Sequence, residues 1–138
     1  MNIGASLLNK QEKISELAFL NLTAGKKAKE ATAYEIAEKY FYQCIDLLPE
    51  TSWTNQYEFT LEAYLLALEI AYINANFELA NKFLKAVLAF AKSPKDIIKA
   101  YEVQISFHFI QNQPLKAIEI ALEVLKKLDI SISKKPKK

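Results

Sequence analysis

The chain has 138 residues, about one domain, and 51% of them are apolar, which is enough for a continuous core and excludes a disordered chain. Two Gly and four Pro are too few for the turns that a sheet protein of this size would need. The formal charge of +2 comes from the terminal run Lys134, Lys135, Lys137 and Lys138; with no Arg anywhere to fork onto phosphate or guanine, the composition argues against a nucleic-acid surface, and no nucleic-acid partner is expected.

Residues 2–8 carry the periodicity of a short N-terminal helix. A longer helix is expected from about Gln11 to Ala31, through Ile14, Leu17, Ala18, Leu22 and Ala28. Its partner runs from Ala33 to Leu48 and is stopped by Pro49. A third long helix runs from Trp53 to Tyr72 and is broken at Asn74-Ala75-Asn76; Phe77 to Lys92 follows. Ser93 is a good N-cap and Pro94 a good first helical residue, so another helix opens there. It ends at Gln111-Asn112-Gln113, and Pro114 opens the last one. The short connections imply antiparallel hairpins over about 11–48, 53–92 and 94–129. These fill a domain spanning 1–130, and 131–138 read as a Lys-rich flexible tail.

The second helices are self-similar. Ala37, Phe41 and Cys44 match Ala80, Leu84 and Val87, and match Ala117, Ala121 and Val124, at the same offsets. Small and bulky residues at this spacing, followed by Pro49, are the tetratricopeptide pattern. The intervals, 43 and then 37 residues, exceed the usual repeat of about 34. Gly25 falls where such helices approach closely. The expected fold is all-α, a tetratricopeptide-like right-handed α-solenoid of about three hairpins plus a short N-terminal helix. The segment 2–8 reads as half of a preceding repeat, and through it the chain is expected to form a homo-oligomer.

Little in the sequence points to chemistry. His108 is the only histidine and Cys44 the only cysteine, so no metal set and no internal disulfide is expected. Both read as packed side chains. Gly25-Lys26-Lys27 lacks the spacing of a phosphate loop. No catalytic residue and no cofactor is expected. The absence of a signal-peptide pattern and of a membrane-length apolar run points to a cytoplasmic chain. The positions facing the groove of such a solenoid are Phe19, Leu22, Lys26 and Lys29, then Glu62, Leu65, Glu69 and Tyr72, then Lys99, Glu102, Ser106 and Phe109. Apolar and charged residues mixed in this way suit a protein or peptide partner.

The run from Leu20 through Gly25 to Lys29, continuing at Thr32-Ala33-Tyr34-Glu35, resembles the helical region of large cyanobacterial-type signalling proteins. So do Trp53-Thr54-Asn55-Gln56-Tyr57-Glu58, Ala71-Tyr72-Ile73, Phe77-Glu78 and Ala117-Ile118 through Val124-Leu125, and the segment Asn2 to Leu8. In that family a Ser/Thr kinase domain precedes an AAA/STAND-type ATPase, then a tetratricopeptide-like array, then sensor domains and a histidine kinase. The resemblance implies a non-catalytic regulatory module whose partners are kinase, ATPase or sensor domains of the same system. None of the kinase, ATPase or sensor motifs is present. Where the family continues with Leu-Gly, this chain has Leu128-Asp129 and the Lys-rich tail, which leaves open a fragment, a remnant or an independent protein. The alternative reading is a stand-alone adaptor or chaperone-like peptide binder.

Overall fold

The structure, a computed structural model, describes the backbone of residues 3–133 and the side chains of residues 10–127. Among the described residues it is all-helical, with seven helices and no strand. They are α1 (Ile3–Glu30), α2 (Tyr34–Leu47), α3 (Ser52–Asn55), α4 (Tyr57–Ile73), α5 (Phe77–Phe90), α6 (Pro94–Ile110) and α7 (Pro114–Ser133). Three pairs, α1/α2, α4/α5 and α6/α7, are antiparallel hairpins. The pairs also touch in sequence: α4 packs on α2, and α6 packs on both α4 and α5.

The three hairpin turns are copies of one another. Thr32, Ala75 and Asn112 each adopt a left-handed φ near 60°. The next residue's N–H reaches back five residues, Ala33 to Ala28 O at 2.8 Å, Asn76 to Ala71 O and Gln113 to His108 O at 2.7 Å. Each turn thereby satisfies carbonyls that the helix end leaves free, and the left-handed residue reverses the chain without glycine. Ser93 caps α6 as its sequence suggests, its Oγ accepting from Asp96 N–H at 3.3 Å.

The aligned second-helix positions share one environment. Ala37, Ala80 and Ala117 are fully buried, as are Cys44 and Val87, with Val124 nearly so. These small residues let α2, α5 and α7 lie close against their partners. The core is otherwise aromatic and aliphatic. Trp53 stacks on Phe90 with ring centroids 5.3 Å apart and tilts against Tyr57 and Tyr64, while Phe41, Leu68 and Ile70 are fully enclosed.

Three sequence expectations are corrected. The short N-terminal helix and the helix from Gln11 are one continuous α1, so there is no half-repeat. Residues 5–24 contain neither Gly nor Pro, and Asn9-Lys10 propagates the helix rather than ending it. The helix expected from Trp53 is interrupted at Gln56, whose φ of −137° and ψ of 53° are not helical. The break lets α3 tuck Trp53 into its aromatic box. Finally, α7 continues through Ser133, beyond the expected tail boundary at 131. Residues 134–138, the rest of that tail, lie outside the described residues.

Candidate functional site

The first helices of the second and third hairpins, α4 and α6, enclose a groove. On α4 the residues Glu58, Leu61, Glu62, Leu65, Leu66 and Glu69 recur at three- and four-residue spacing and therefore form one stripe. On α6 the facing stripe is Lys99, Glu102, Val103, Ser106, Phe107 and Ile110. Two adjoining hollows, of about 360 and 270 Å³, lie along this seam and share Glu69, Lys99 and Val103. The floor is aliphatic and the rim is charged.

Four of the sequence-predicted site residues pair with one another. Lys26 Nζ on α1 reaches Glu62 at 2.5 Å, and Lys29 Nζ reaches Glu69 at 2.6 Å, both between helices α1 and α4. These pairs are half exposed, so each contributes only about 0–1 kcal/mol. Their effect is orientation: they fix the rim of α4 against α1. Lys99 is 3.8 Å from Asp96 one turn away, and Glu102 is exposed at the groove edge. Among the described residues, neither Glu58 nor Glu102 has a cation within 4 Å.

Other predicted positions behave differently. Leu65 lines the groove. Tyr72 is only 6% exposed; it closes one end of the groove by stacking on Phe107, centroids 4.8 Å apart, and burial pushes its hydroxyl pKa up. Leu22 is buried beneath α2 and is not a surface position. Phe19 is exposed on α1, on the same stripe as Lys26 one heptad on but away from the two hollows. Phe109 is exposed too; it lies one turn on from Ser106 at the edge of the α6 stripe, beside Glu102, but lines neither hollow. Sequence alignment to a repeat pattern missed Leu61, Leu66, Val103, Phe107 and Ile110. The spacing Lys99, Val103, Phe107, Ile110 was the signal that marks one helical face.

The reactive residues are held inside or within small local networks. Cys44 is fully buried, and burial, reinforced by the nearby negative charge of Glu62, pushes its thiol up to about 12. His108 is half-buried; its Nδ1 lies 2.8 Å from Gln113 Oε1 and its ring meets Phe107 edge-on. Tyr57 donates to Asp96 Oδ2 at 2.6 Å and accepts from Lys92 N–H at 2.8 Å, tying the start of α4 to the α5–α6 loop. Tyr42 donates to Glu38 at 2.8 Å, and Asn76 donates to the same carboxylate at 3.3 Å. Among the described residues, no three His, Cys, Asp or Glu side chains gather as a metal set. No described helix is long and apolar enough to cross a membrane.

A larger hollow of about 800 Å³ lies beneath the half of α1 that extends past α2, against Leu47, Pro49 and Gln56. Polar residues such as Gln11, Glu12, Ser15 and Asn55 line it together with Ile14, Leu47 and Pro49.

In comparison with known proteins, 96% of the chain is 26% identical, over 152 aligned residues, to a stretch of hybrid signal transduction histidine kinase G of Dictyostelium discoideum. The chain spans only 4% of that relative's length. No family model matches the chain, and no solved structure does. Over its described residues the chain is thus all-helical, and it is distantly similar to part of a signal-transduction kinase.

Proposed function

We propose that this chain is a non-catalytic protein-interaction module, a tetratricopeptide-like α-solenoid that serves a signalling system of the multi-sensor kinase type. The observation that carries the reading is the α4/α6 groove, with its aliphatic floor and charged rim. Three stacked hairpins with identical turns support the solenoid assignment, and the partial similarity to a histidine kinase supports the signalling context. The partner is a protein segment that seats apolar side chains over Leu65 and Val103 and offers a cation to Glu58 or Glu102. In the signalling context that segment belongs to a kinase, ATPase or sensor domain, and the setting is cytoplasmic.

Burial of apolar anchors in such a groove would supply most of the affinity, and the rim charges would set orientation and association rate. The test is titration of the intact chain with labelled amphipathic peptides that carry an apolar stripe flanked by Lys or by Glu. The Lys-flanked peptide should bind, and Val103→Glu in α6 should abolish binding while leaving helicity unchanged. Binding that is indifferent to Val103→Glu would count against the groove. For the non-catalytic part of the reading, the check is ATP turnover by the purified chain, where measurable hydrolysis would overturn it.

A further inference from the structure

The junction between the second and third hairpins differs in chemistry from the junction between the first and second. Aligned on Thr32, Ala75 and Asn112, the three turns match residue for residue. At the first junction Asn74 donates to Tyr34 O at 3.1 Å and Asn76 donates to Glu38 at 3.3 Å, which ties the second turn to α2. Ala67 and Ala71 of α4 are fully buried.

The matching positions of the second junction line an open hollow of about 350 Å³. Phe77 and Asn81 stand where α2 has Tyr34 and Glu38, and Gln111 and Gln113 stand where the second turn has Asn74 and Asn76. The two bonds that close the first junction have no counterpart among the described residues; Gln113 Oε1 lies instead 2.8 Å from His108 Nδ1. Gln104 and His108 take the places of Ala67 and Ala71, and Lys116 takes that of Leu79. Three polar or basic side chains therefore enter where the preceding copy is apolar, and the carboxylate of Glu38 gives way to the neutral amide of Asn81.

One wall of this hollow is aromatic. Phe107 stacks on Tyr72 with centroids 4.8 Å apart and meets Phe77 edge-on at 5.5 Å, and Phe77 keeps 49% of its surface exposed. Among the described residues no carboxylate lines the hollow, and Lys116 has none within 4 Å. The adjoining α4/α6 groove, which shares Tyr72 and Phe107, carries Glu69 and Glu102, so the two sites favour opposite charge. We infer that the hollow binds a planar heteroaromatic ring bearing one anionic group, the chemistry of a purine nucleoside monophosphate. The ring stacks on the wall of Phe77 and Phe107. The carboxamides of Asn81, Gln104 and Gln111 offer both donors and acceptors to its heteroatoms, and Lys116 takes the anion as a point charge. The volume suits a ligand of this size, since such cavities run from about 300 to 1,000 Å³. A second or third phosphate would find no further lysine in the lining.

Titration of the full chain with AMP and GMP, with adenosine as the uncharged control, tests this. His108 is the only histidine, so its ring resonances in proton NMR report on the hollow directly. At least one monophosphate should shift them saturably, and adenosine should bind at least about tenfold more weakly than AMP. Phe77→Ala should weaken binding at least about fivefold through lost stacking, and Lys116→Glu should abolish it. Both positions are exposed, so each variant should keep the wild-type circular dichroism. If Phe77→Ala lowers helicity, Lys116→Glu, whose new acid suits the first turn of α7, carries the test. Lys99→Glu in the groove should leave nucleotide affinity unchanged. No saturable shift with either monophosphate, equal affinity for adenosine and AMP, or full affinity in Lys116→Glu would overturn the proposal.

Discussion

Gly25 on α1 lies against the ring of Phe41 on α2, so close that a Cβ on residue 25 would stand 2.5 Å from Phe41 Cε1. Phe41 is fully buried and has nowhere to retreat. The glycine is there for the helix crossing, at a cost in helix propensity of up to about 1 kcal/mol relative to Ala. Gly25→Ala should recover that propensity and lose more to overpacking, which runs about 1–3 kcal/mol in tight cores. The expected result is a lower denaturation midpoint, partly restored in the double variant Gly25→Ala, Phe41→Leu. A rise in midpoint for the single variant would refute the close contact.

Ala80 holds the same place on α5 that Ala37 holds on α2, and it is fully buried. Ala80→Leu adds bulk where α5 meets α4 and should cost about 1–3 kcal/mol. Leu at an exposed position of the same helix, such as Lys82→Leu, should change stability by about 0.5 kcal/mol or less. Equal melting temperatures for Ala80→Leu and wild type would contradict the repeat alignment.

Thr60 on α4 is fully buried, and its hydroxyl has no hydrogen-bond partner among the described residues. An unpaired buried hydroxyl costs about 1–3 kcal/mol. Thr60→Val keeps the branched shape and removes the polar atom, so stability should stay level or rise. A loss beyond about 1 kcal/mol in urea denaturation would mean that the hydroxyl is bonded after all.

Cys44, Tyr57, Tyr64 and Tyr72 all have pKa values raised chiefly by burial, with Cys44 near 12 against an ordinary 9.0. At alkaline pH the unfolded chain releases these protons before the folded one does. The folded state then binds more protons, and stability falls as pH rises. The contribution is intact below about pH 9 and is lost progressively toward pH 12 for Cys44. Denaturation midpoints measured across this window should fall, and Cys44 should react with a thiol reagent only as fast as the protein opens. Rapid labelling of the native chain at pH 8 would contradict the burial.

Most of the helices were legible in the sequence because Pro, Ser and Asn punctuate them. Pro94 and Pro114 start α6 and α7, and the three turns centre on Thr32, Ala75 and Asn112. The break at Gln56 was not legible, since nothing in Asn55-Gln56-Tyr57 forbids a helix; it follows from burying Trp53 against Phe90, a contact 37 residues away in sequence. The continuity of α1 was not legible, because the polar pair Asn9-Lys10 breaks the apolar pattern without breaking the helix. For the candidate site, periodicity found Leu65, Lys99 and Glu102. It could not tell that Leu22 lies under α2 or that Phe109 stays outside both hollows, because side-chain facing depends on how neighbouring helices cross. The repeat alignment marks Lys26, Lys29, Glu62 and Glu69 singly as groove positions, and only the placement of α1 beside α4 makes them the pairs Lys26–Glu62 and Lys29–Glu69.

The account rests most on the α4/α6 groove as the binding surface. A photo-crosslinking side chain placed at Val103 on the groove floor, and in a second protein at Lys82 on the exposed side of α5, tests it in cells that contain the partner. The account predicts a discrete heteromeric adduct from position 103, suppressed by Leu65→Glu, and none from position 82. Equal adducts from both positions, or no adduct from position 103, would contradict it.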